Sequence, residues 1–455
     1  LNWIQGTADQ LASFDQFFLL MSFVLKLLIV FQNILIFFLK IIQLTFFKKR
    51  NVFESKNIVD PYSESFSKSQ LKACVCFHFS SEGEFEQIRP LIDYFLDQGE
   101  RVELIYTSPS VEASVSAFIR QYDLSQIRAL RLPLTYSFSL IDWVTSKSFF
   151  MVRYDFFPSL LILGLSMKSF TLYSCTLKSS SFFSNFMKHK VLNLFTDIYP
   201  ATENDAYELK ELDISAQVHE VVDFRTLQIF KRQNTPEKKK RDFFEVLNPL
   251  FTSFSINNRF LFSQCWDYEK ELFIKYFSDK EAEFFNNHLI YIAPHLLSEE
   301  NRDNFISLLN DSLSHLPDIS VYVIEKDAEL SQVENTVREF INSPGIILSF
   351  YPGVLCELYP YFSYAYIGGG FGKGLHSVLE PFIGNVSLYI GPNVDRSTEY
   401  LTLKEHKWPM KIINSTDELI DFNINYKVDL DISSFIEHNR TMLNKIYQKV
   451  KIENA

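Results

Sequence analysis

Apolar positions divide this chain into one long hydrophobic run followed by two stretches in which strand-like and helix-like patterns alternate. The run extends from Phe17 to Phe47, broken only by Ser22, Lys26, Gln32, Asn33, Lys40, Gln43 and Thr45. Phe17 to Leu39 is longer than the roughly 20 residues that cross a bilayer. At about 100° per residue, Asp15, Ser22, Lys26, Asn33 and Lys40 fall in one narrow stripe, while Gln32, Gln43 and Thr45 lie off it. The pattern predicts a membrane-anchor helix within residues 1–50. It either lies in the interface with the stripe toward water, or spans with the stripe against a partner. A buried core helix is the alternative. No short apolar region with a small-residue cleavage site is present, which argues against a removed signal peptide. Lys48, Lys49 and Arg50 follow, and by the positive-inside rule they put the remainder in the cytoplasm.

Alternation begins after a polar linker. Ala73 to Phe79, Val102 to Thr107, Phe149 to Arg153, Phe170 to Cys175 and Asp197 to Pro200 read as strands. Helices fall between them, from Glu84 to Gln98 with Gly99 as the stop, Val111 to Tyr122 and Thr202 to Leu212. A charged stretch, residues 229–258, interrupts with Lys231, Arg232 and the run Lys238 to Arg241, and reads as a solvated surface helix or linker. A basic patch toward anionic lipid is the alternative. Alternation then resumes. Strands are expected at Phe260 to Ser263, Leu289 to Ala293, Ser320 to Ile324, Gly345 to Ser349, Tyr364 to Ile367 and Val386 to Ile390, with helices between and a last amphipathic helix from Ile432. Alternating strands and helices mean a mainly parallel sheet covered on both faces. The expected fold is α/β with two such domains, residues 51–228 and 259–431, joined by the charged segment and closed by a helix at 432–455. Ligands in such sheets bind outside the carboxyl ends of the strands, and two facing domains place that crevice between them.

Composition sharpens the picture at one place. The chain has only 13 glycines, yet Gly368, Gly369, Gly370, Gly372 and Gly374 fall together. Glycine is needed where backbone turns with positive φ or approaches a ligand. Preceded by a strand and followed by a helix read over Leu375 to Ile383, the loop predicts an anion site, most simply for phosphate. Its late position argues against a dinucleotide fingerprint, and the absence of Ser or Thr after Lys373 against a P-loop. Lys373, His376, Ser377 and Glu380 crowd beside it, with 376 and 380 on one helix face. The net charge of -11 argues against nucleic acid as a partner. Five scattered cysteines form no metal or disulfide framework and suit a reducing compartment. At the end of the first strand Glu82, Glu84 and Glu86 gather around Gly83. Carboxylates at a helix start serve as caps and dipole partners, or one serves as a general base at the crevice mouth.

His78-Phe-Ser-Ser-Glu-Gly-Glu-Phe-Glu-Gln-Ile-Arg-Pro90 resembles the first signature of the 3-deoxy-D-manno-octulosonic acid (Kdo) transferases. Tyr366-Ile-Gly-Gly-Gly-Phe-Gly-Lys-Gly-Leu-His-Ser-Val-Leu-Glu380 with Ile390-Gly-Pro-Asn393 is similar to their donor-binding motif. Weaker resemblances lie at Tyr154 to Pro158, Thr202 to Ala206, Ser263 to Trp266 and Ala293 to His295. The resemblance implies a GT-B fold, with two Rossmann-like domains facing a cleft. It also implies an inverting, metal-independent transfer with no cofactor, from CMP-Kdo to a lipid A precursor (lipid IVA) at the bacterial inner membrane, with the catalytic domains on the cytoplasmic side. By the same resemblance Glu84 is the general base, and Glu380 holds the nucleotide ribose. The amides of Gly369, Gly370 and their neighbours to Lys373 cradle the phosphate, with Lys373 adding charge. His295, His376, Ser377 and Trp266 lie about the donor, and Arg225 belongs to an interdomain motif. Ser377 stands where the family has Asn, and Val222 to Thr226 keeps Asp223 and Arg225 but loses the motif's glycine and last Phe-Asp. A transferase of another nucleotide sugar, or a weakly catalytic membrane scaffold, are the other readings these departures allow.

Overall fold

The computed structural model describes residues 20–31, 34, 72–132, 140–153, 155–177, 189–266, 269–372, 374–394, 397–415, 418 and 432–454. The chain divides into two units, Leu1–Arg225 with Asn439–Ala455, and Thr226–His438.

The first unit holds a seven-stranded parallel sheet in the order β3-β2-β1-β4-β5-β6-β7. Its strands are β1 (Val75–Phe79), β2 (Val102–Tyr106), β3 (Ile127–Arg131), β4 (Ser148–Val152), β5 (Ser169–Cys175), β6 (Asp197–Pro200) and β7 (Gln217–Val218). β1, β2, β4 and β5 are buried along their whole length, as strands covered on both faces must be. That is why their sequences read as largely apolar runs, with His78 in β1 and Glu103 in β2 as buried exceptions. The strand order runs outward from β1 in one direction and from β4 in the other, so the topological switch lies between these two. The last helix, Ile432–Asn454, returns to this unit. Lys449 there pairs with Asp197, Lys451 with Glu100, and Asn454 donates to the Cys74 carbonyl.

The second unit repeats the design with strands β8 (Arg259–Cys265), β9 (Leu289–Pro294), β10 (Ser320–Ile324), β11 (Gly345–Ser349), β12 (Tyr364–Ile367), β13 (Ser387–Ile390) and β14 (Met410–Ile412). All are parallel, in the order β10-β11-β9-β8-β12-β13-β14, with the switch between β8 and β12. Successive strand residues face opposite sides. Phe260 and Phe262 enter one core cluster and Leu261 the other, as Ile290 and Ile292 divide from Tyr291. Each such fully buried side chain contributes about 1.5–3 kcal/mol.

Three expectations change. Residues 229–258 are no linker: Arg225–Asn234 and Lys238–Ser253 are helices. Ile229, Phe243, Phe244, Leu247, Leu250 and Phe251 bury an apolar face in the second unit's core. The charges occupy the other faces, which masked that stripe. The helix expected from Leu375 is only Leu379–Ile383, so His376 and Glu380 do not share a helix face. In the long apolar run, residues 20–31 are helical. Leu25 and Ile29, with Met21, pack into the first unit's core, whereas Phe23 and Phe31 are 60% and 66% exposed. Among the described residues no helix is long and apolar enough to cross a membrane. The rest of the expected anchor, and the basic triplet at 48–50, lie outside the described residues.

Candidate active site

Each unit gathers polar side chains at its own switch point. In the first, β1 ends at Phe79 and the helix Glu82–Asp97 begins three residues later, capped by the Ser81 hydroxyl, which accepts from the Glu84 amide at 3.3 Å. Of the three glutamates only Glu84 turns back to the strand end, where its Oε2 accepts the Ser80 amide at 2.6 Å. Glu82 is exposed, and Glu86 pairs with Arg89 at 3.4 Å on the helix surface.

From the other side of the switch, past the end of β4, comes Asp155, whose carboxylate accepts from the Ser80 hydroxyl. Ser80 therefore bridges two carboxylates, its amide to Glu84 and its hydroxyl to Asp155. Burial first, then repulsion from Asp155, pushes the Glu84 carboxyl above its ordinary range; the Ser80 amide, Arg153 and the Ser81 amide pull it back. Burial raises Asp155 too. Burial and a neighbouring like charge are what make a carboxylate a better proton acceptor. His78, in the same motif, is fully buried, bonded through Nε2 to the Thr107 hydroxyl at 2.9 Å and pushed down to about 3 by burial. It is a neutral core histidine.

The role of Asp155 was not legible in the sequence, because 71 residues separate it from Glu84 and only strand order brings them together. Replacing it by Asn removes the neighbouring negative charge and makes ionised Glu84 easier to form. The acid limb of the pH–rate profile in Asp155→Asn should therefore move to lower pH. An unmoved limb would remove Asp155 from the account of Glu84.

Arg225 also belongs to the first unit, where its guanidinium clasps Asp223 through Nε at 3.0 Å and Nη2 at 2.5 Å. This pair is what remains of the expected interdomain motif.

In the second unit, Trp266 follows β8 and the glycine loop follows β12, on the two sides of the switch. The loop folds on itself. The amides of Gly372 and Gly374 donate to the Gly369 carbonyl at 3.0 and 3.2 Å, and Asn393 donates to the Gly370 and Gly372 carbonyls at 2.8 and 3.1 Å. Gly369 has φ of +95°, and a Cβ on Gly370 would sit 2.6 Å from the Gly391 amide nitrogen. Only glycine meets both demands.

The amides expected to hold phosphate are largely engaged already. Gly369 donates to Glu269 Oε1 at 2.9 Å. At the start of the short helix, Glu399 Oε2 accepts from the amides of Val378 and Leu379 at 2.9 and 3.3 Å and from the Ser377 hydroxyl at 2.8 Å. A strand, a loop and a helix N-terminus open to an anion, as expected, are replaced by a loop and a helix start each filled by a carboxylate of the chain. Lys373 lies outside the described residues.

The side chains beside the loop form a compact group. The Trp266 indole donates to His376 Nε2 at 2.6 Å, with the two rings within 5° of coplanar. His295 stacks across both, at 4.1 Å from Trp266 and 4.4 Å from His376. Burial, then His295, lowers His376 to about 4, and burial lowers His295, so both are neutral at physiological pH. Since Nε2 of His376 accepts, its proton sits on Nδ1. Glu380 lies 3.7 Å from Arg232, which clasps the buried Glu357 at 3.1 Å. Burial raises Glu380, with Arg232 opposing. The second unit thus brings Trp266, His295, Gly369, Gly370, His376, Ser377 and Glu380 to one end of its sheet. Glu269, absent from the expected set, lies among them. Among the described residues, no group of three His, Cys, Asp or Glu is placed to hold a metal ion. All five cysteines are buried, and none forms a disulfide.

Comparison with known proteins agrees with this anatomy. None of the curated proteins matches the chain in sequence. Among solved structures, a UDP-GlcNAc 2-epimerase from Methanocaldococcus jannaschii is similar with a TM-score of 0.50 and 12% identity, over 81% of this chain and 99% of that one. This shows a shared fold of two Rossmann-like domains, of the kind seen in GT-B glycosyltransferases. The UDP-GlcNAc 2-epimerase of Neisseria meningitidis bound to UDP-GlcNAc gives 0.49 at 12% identity over 84% and 100% of the two chains. The C-terminal CMP-Kdo binding domain of WaaA from Acinetobacter baumannii gives 0.28 at 12% identity over 46% and 97%. Residues 54–227 match the family model of 3-deoxy-D-manno-octulosonic-acid transferase (kdotransferase). Over those residues the first unit is thus similar to a Kdo transferase domain, a match that supports a glycosyltransferase.

Proposed function

We propose that this enzyme transfers Kdo from CMP-Kdo to a lipid A precursor, with inversion at the anomeric carbon. The observation that carries the reading is Glu84: a half-buried carboxylate at a sheet switch point, oriented by the Ser80 amide and raised by burial and Asp155. In the proposed step the acceptor hydroxyl oxygen forms a bond to the anomeric carbon while the bond from that carbon to the CMP phosphate breaks. Glu84 takes the hydroxyl proton and the electron pair leaves with CMP. The amides of Gly369, Gly372 and Gly374 are bonded within the protein, so side chains bear more of the departing charge. Lys373 and the Nδ1–H of His376 are assigned that task, and Glu380 the ribose hydroxyls.

The proposed site of action is the cytoplasmic face of the inner membrane. Supporting it, the helix over residues 20–31 packs one stripe inward and leaves Leu20, Phe23, Leu27 and Phe31 exposed. Such a contiguous apolar patch suits a lipid surface.

A second reading, a transferase of another nucleotide sugar, is favoured by Ser377, whose hydroxyl is held by Glu399 where the resembled family has Asn. The test is a turnover assay in detergent with lipid IVA and CMP-Kdo generated in place, the lipid weighed by mass spectrometry, beside competition binding of CMP and UDP. A Kdo-sized mass gain with CMP preferred is expected. Tighter UDP binding without mass gain would replace the donor.

A further inference from the structure

Glu269 is 1% exposed. Its carboxylate gathers donors from three places. Oε1 accepts the Tyr366 hydroxyl of β12 at 2.7 Å and the Gly369 amide at 2.9 Å, and Oε2 accepts the Trp266 amide at 2.9 Å. The Phe371 amide is a further donor. The approach is close enough that a Cβ on Gly368 would lie 2.8 Å from Oε2. One buried carboxylate therefore ties the segment after β8 to the loop after β12, across the switch between the strands. Above this tie the same two segments meet again through the Trp266–His376 hydrogen bond of 2.6 Å. That bond needs the Trp266 backbone and the glycine loop held at a set separation, because an indole and an imidazole lying coplanar tolerate little displacement. It also decides the tautomer, since an accepting Nε2 leaves the proton on Nδ1.

We propose that Glu269 is the positioning residue of the glycine-loop site: by pinning Trp266 and Gly369 together it maintains the Trp266–His376 bond and so presents His376 as an Nδ1–H donor to a phosphate-bearing nucleotide. The nucleotide's identity as a cytidine phosphate rests on the proposed function; the pin itself does not. Carboxylate geometry is essential to the role. Two oxygens, each accepting in more than one direction, serve four donors. A glutamine at this position has one acceptor oxygen and turns an NH2 group toward at least one N–H or O–H.

The test reads the indole directly. Trp266 fluorescence is isolated as the difference between wild type and Trp266→Phe, and is titrated with acid. Protonation of His376 removes the acceptor and quenches the indole. Among the described residues, the titratable and charged groups about His376 are His295, stacked at 4.4 Å, and Glu399, bound to the adjacent Ser377, so the titration is repeated in His295→Gln to assign it. In wild type the quench is expected at about 4. In Glu269→Gln it should move toward the ordinary histidine value of about 6.5, and CMP binding by calorimetry should weaken roughly tenfold or more. Glu269→Asp, which keeps both oxygens, should recover part of each.

Equal CMP affinity in wild type and Trp266→Phe overturns the proposal without any Glu269 variant, and so survives a failure of Glu269→Gln to fold. A folded Glu269→Gln with unchanged midpoint and CMP affinity overturns it as well. A shifted midpoint in a protein that never binds CMP upholds the pin and sinks the cytidine reading.

Discussion

Glu84→Gln is expected to lower kcat for Kdo transfer by about 10²–10⁴-fold, equivalent to roughly 3–5 kcal/mol of transition-state stabilisation, while CMP affinity stays near wild type. The amide is nearly isosteric with the carboxylate, and its carbonyl oxygen still accepts the Ser80 amide that Glu84 Oε2 takes at 2.6 Å. Fold and local geometry should therefore survive. What is lost is basicity: an amide does not take a proton at neutral pH, so the attacking hydroxyl must lose its own to water. Donor affinity is assigned to the second unit and should not follow the change. Initial rates by mass spectrometry of the lipid product, with calorimetric CMP binding on the same preparations, separate the two. A variant with full kcat would dismiss Glu84 as the base and return it to the role of a helix-start carboxylate.

The largest expected stability effect lies well away from this chemistry. Glu103 is fully buried in β2, and its partner Arg128, in β3, is 5% exposed. The glutamate accepts from Arg128 Nε at 3.2 Å, from the Thr145 amide at 2.9 Å and hydroxyl at 2.8 Å, and from the Ser146 amide at 3.2 Å. Arg128 also donates to the Trp143 carbonyl and lies 4.2 Å over that indole ring. Glu103→Leu leaves a buried guanidinium without its counter-charge, and the Thr145 and Ser146 amides without their acceptor. The expected loss is about 3–5 kcal/mol, a fall in Tm of roughly 10 °C for a unit of this size. Because a fully apolar replacement removes both charges, Glu103→Leu with Arg128→Met should recover much of the loss. Thermal unfolding of the two single variants and the double variant closes the cycle. A single variant within about 0.5 kcal/mol of wild type would mean that water reaches the pair.

The alternation of apolar runs determined two parallel-sheet α/β units, because strands buried on both faces need side chains that are mostly apolar. That rule also explains what stayed hidden. β3 carries Arg128 and Arg131 among its five residues, β7 has two residues and β14 three, so none offers an apolar run. The glycine cluster was visible from composition alone, since backbone that must turn at Gly369 and touch Gly391 at Gly370 tolerates nothing larger. Composition and spacing showed three glutamates at the end of β1; only the family resemblance singled out Glu84, and neither showed what turns it inward. That orientation depends on Ser80 and on Asp155, which strand order delivers from β4.

Tertiary structure decided the fate of the loop amides in the same way. Glu269 lies 100 residues before Gly369 and Glu399 lies 22 after Ser377. No local pattern states that these carboxylates fill the loop and the helix start that sequence reading left open to an anion. Local periodicity and glycine content are properties of neighbours in the chain, so they can be read along it. The partner of a buried polar group is chosen by the packing of strands that are distant in the chain, and only the folded sheet brings those partners into reach.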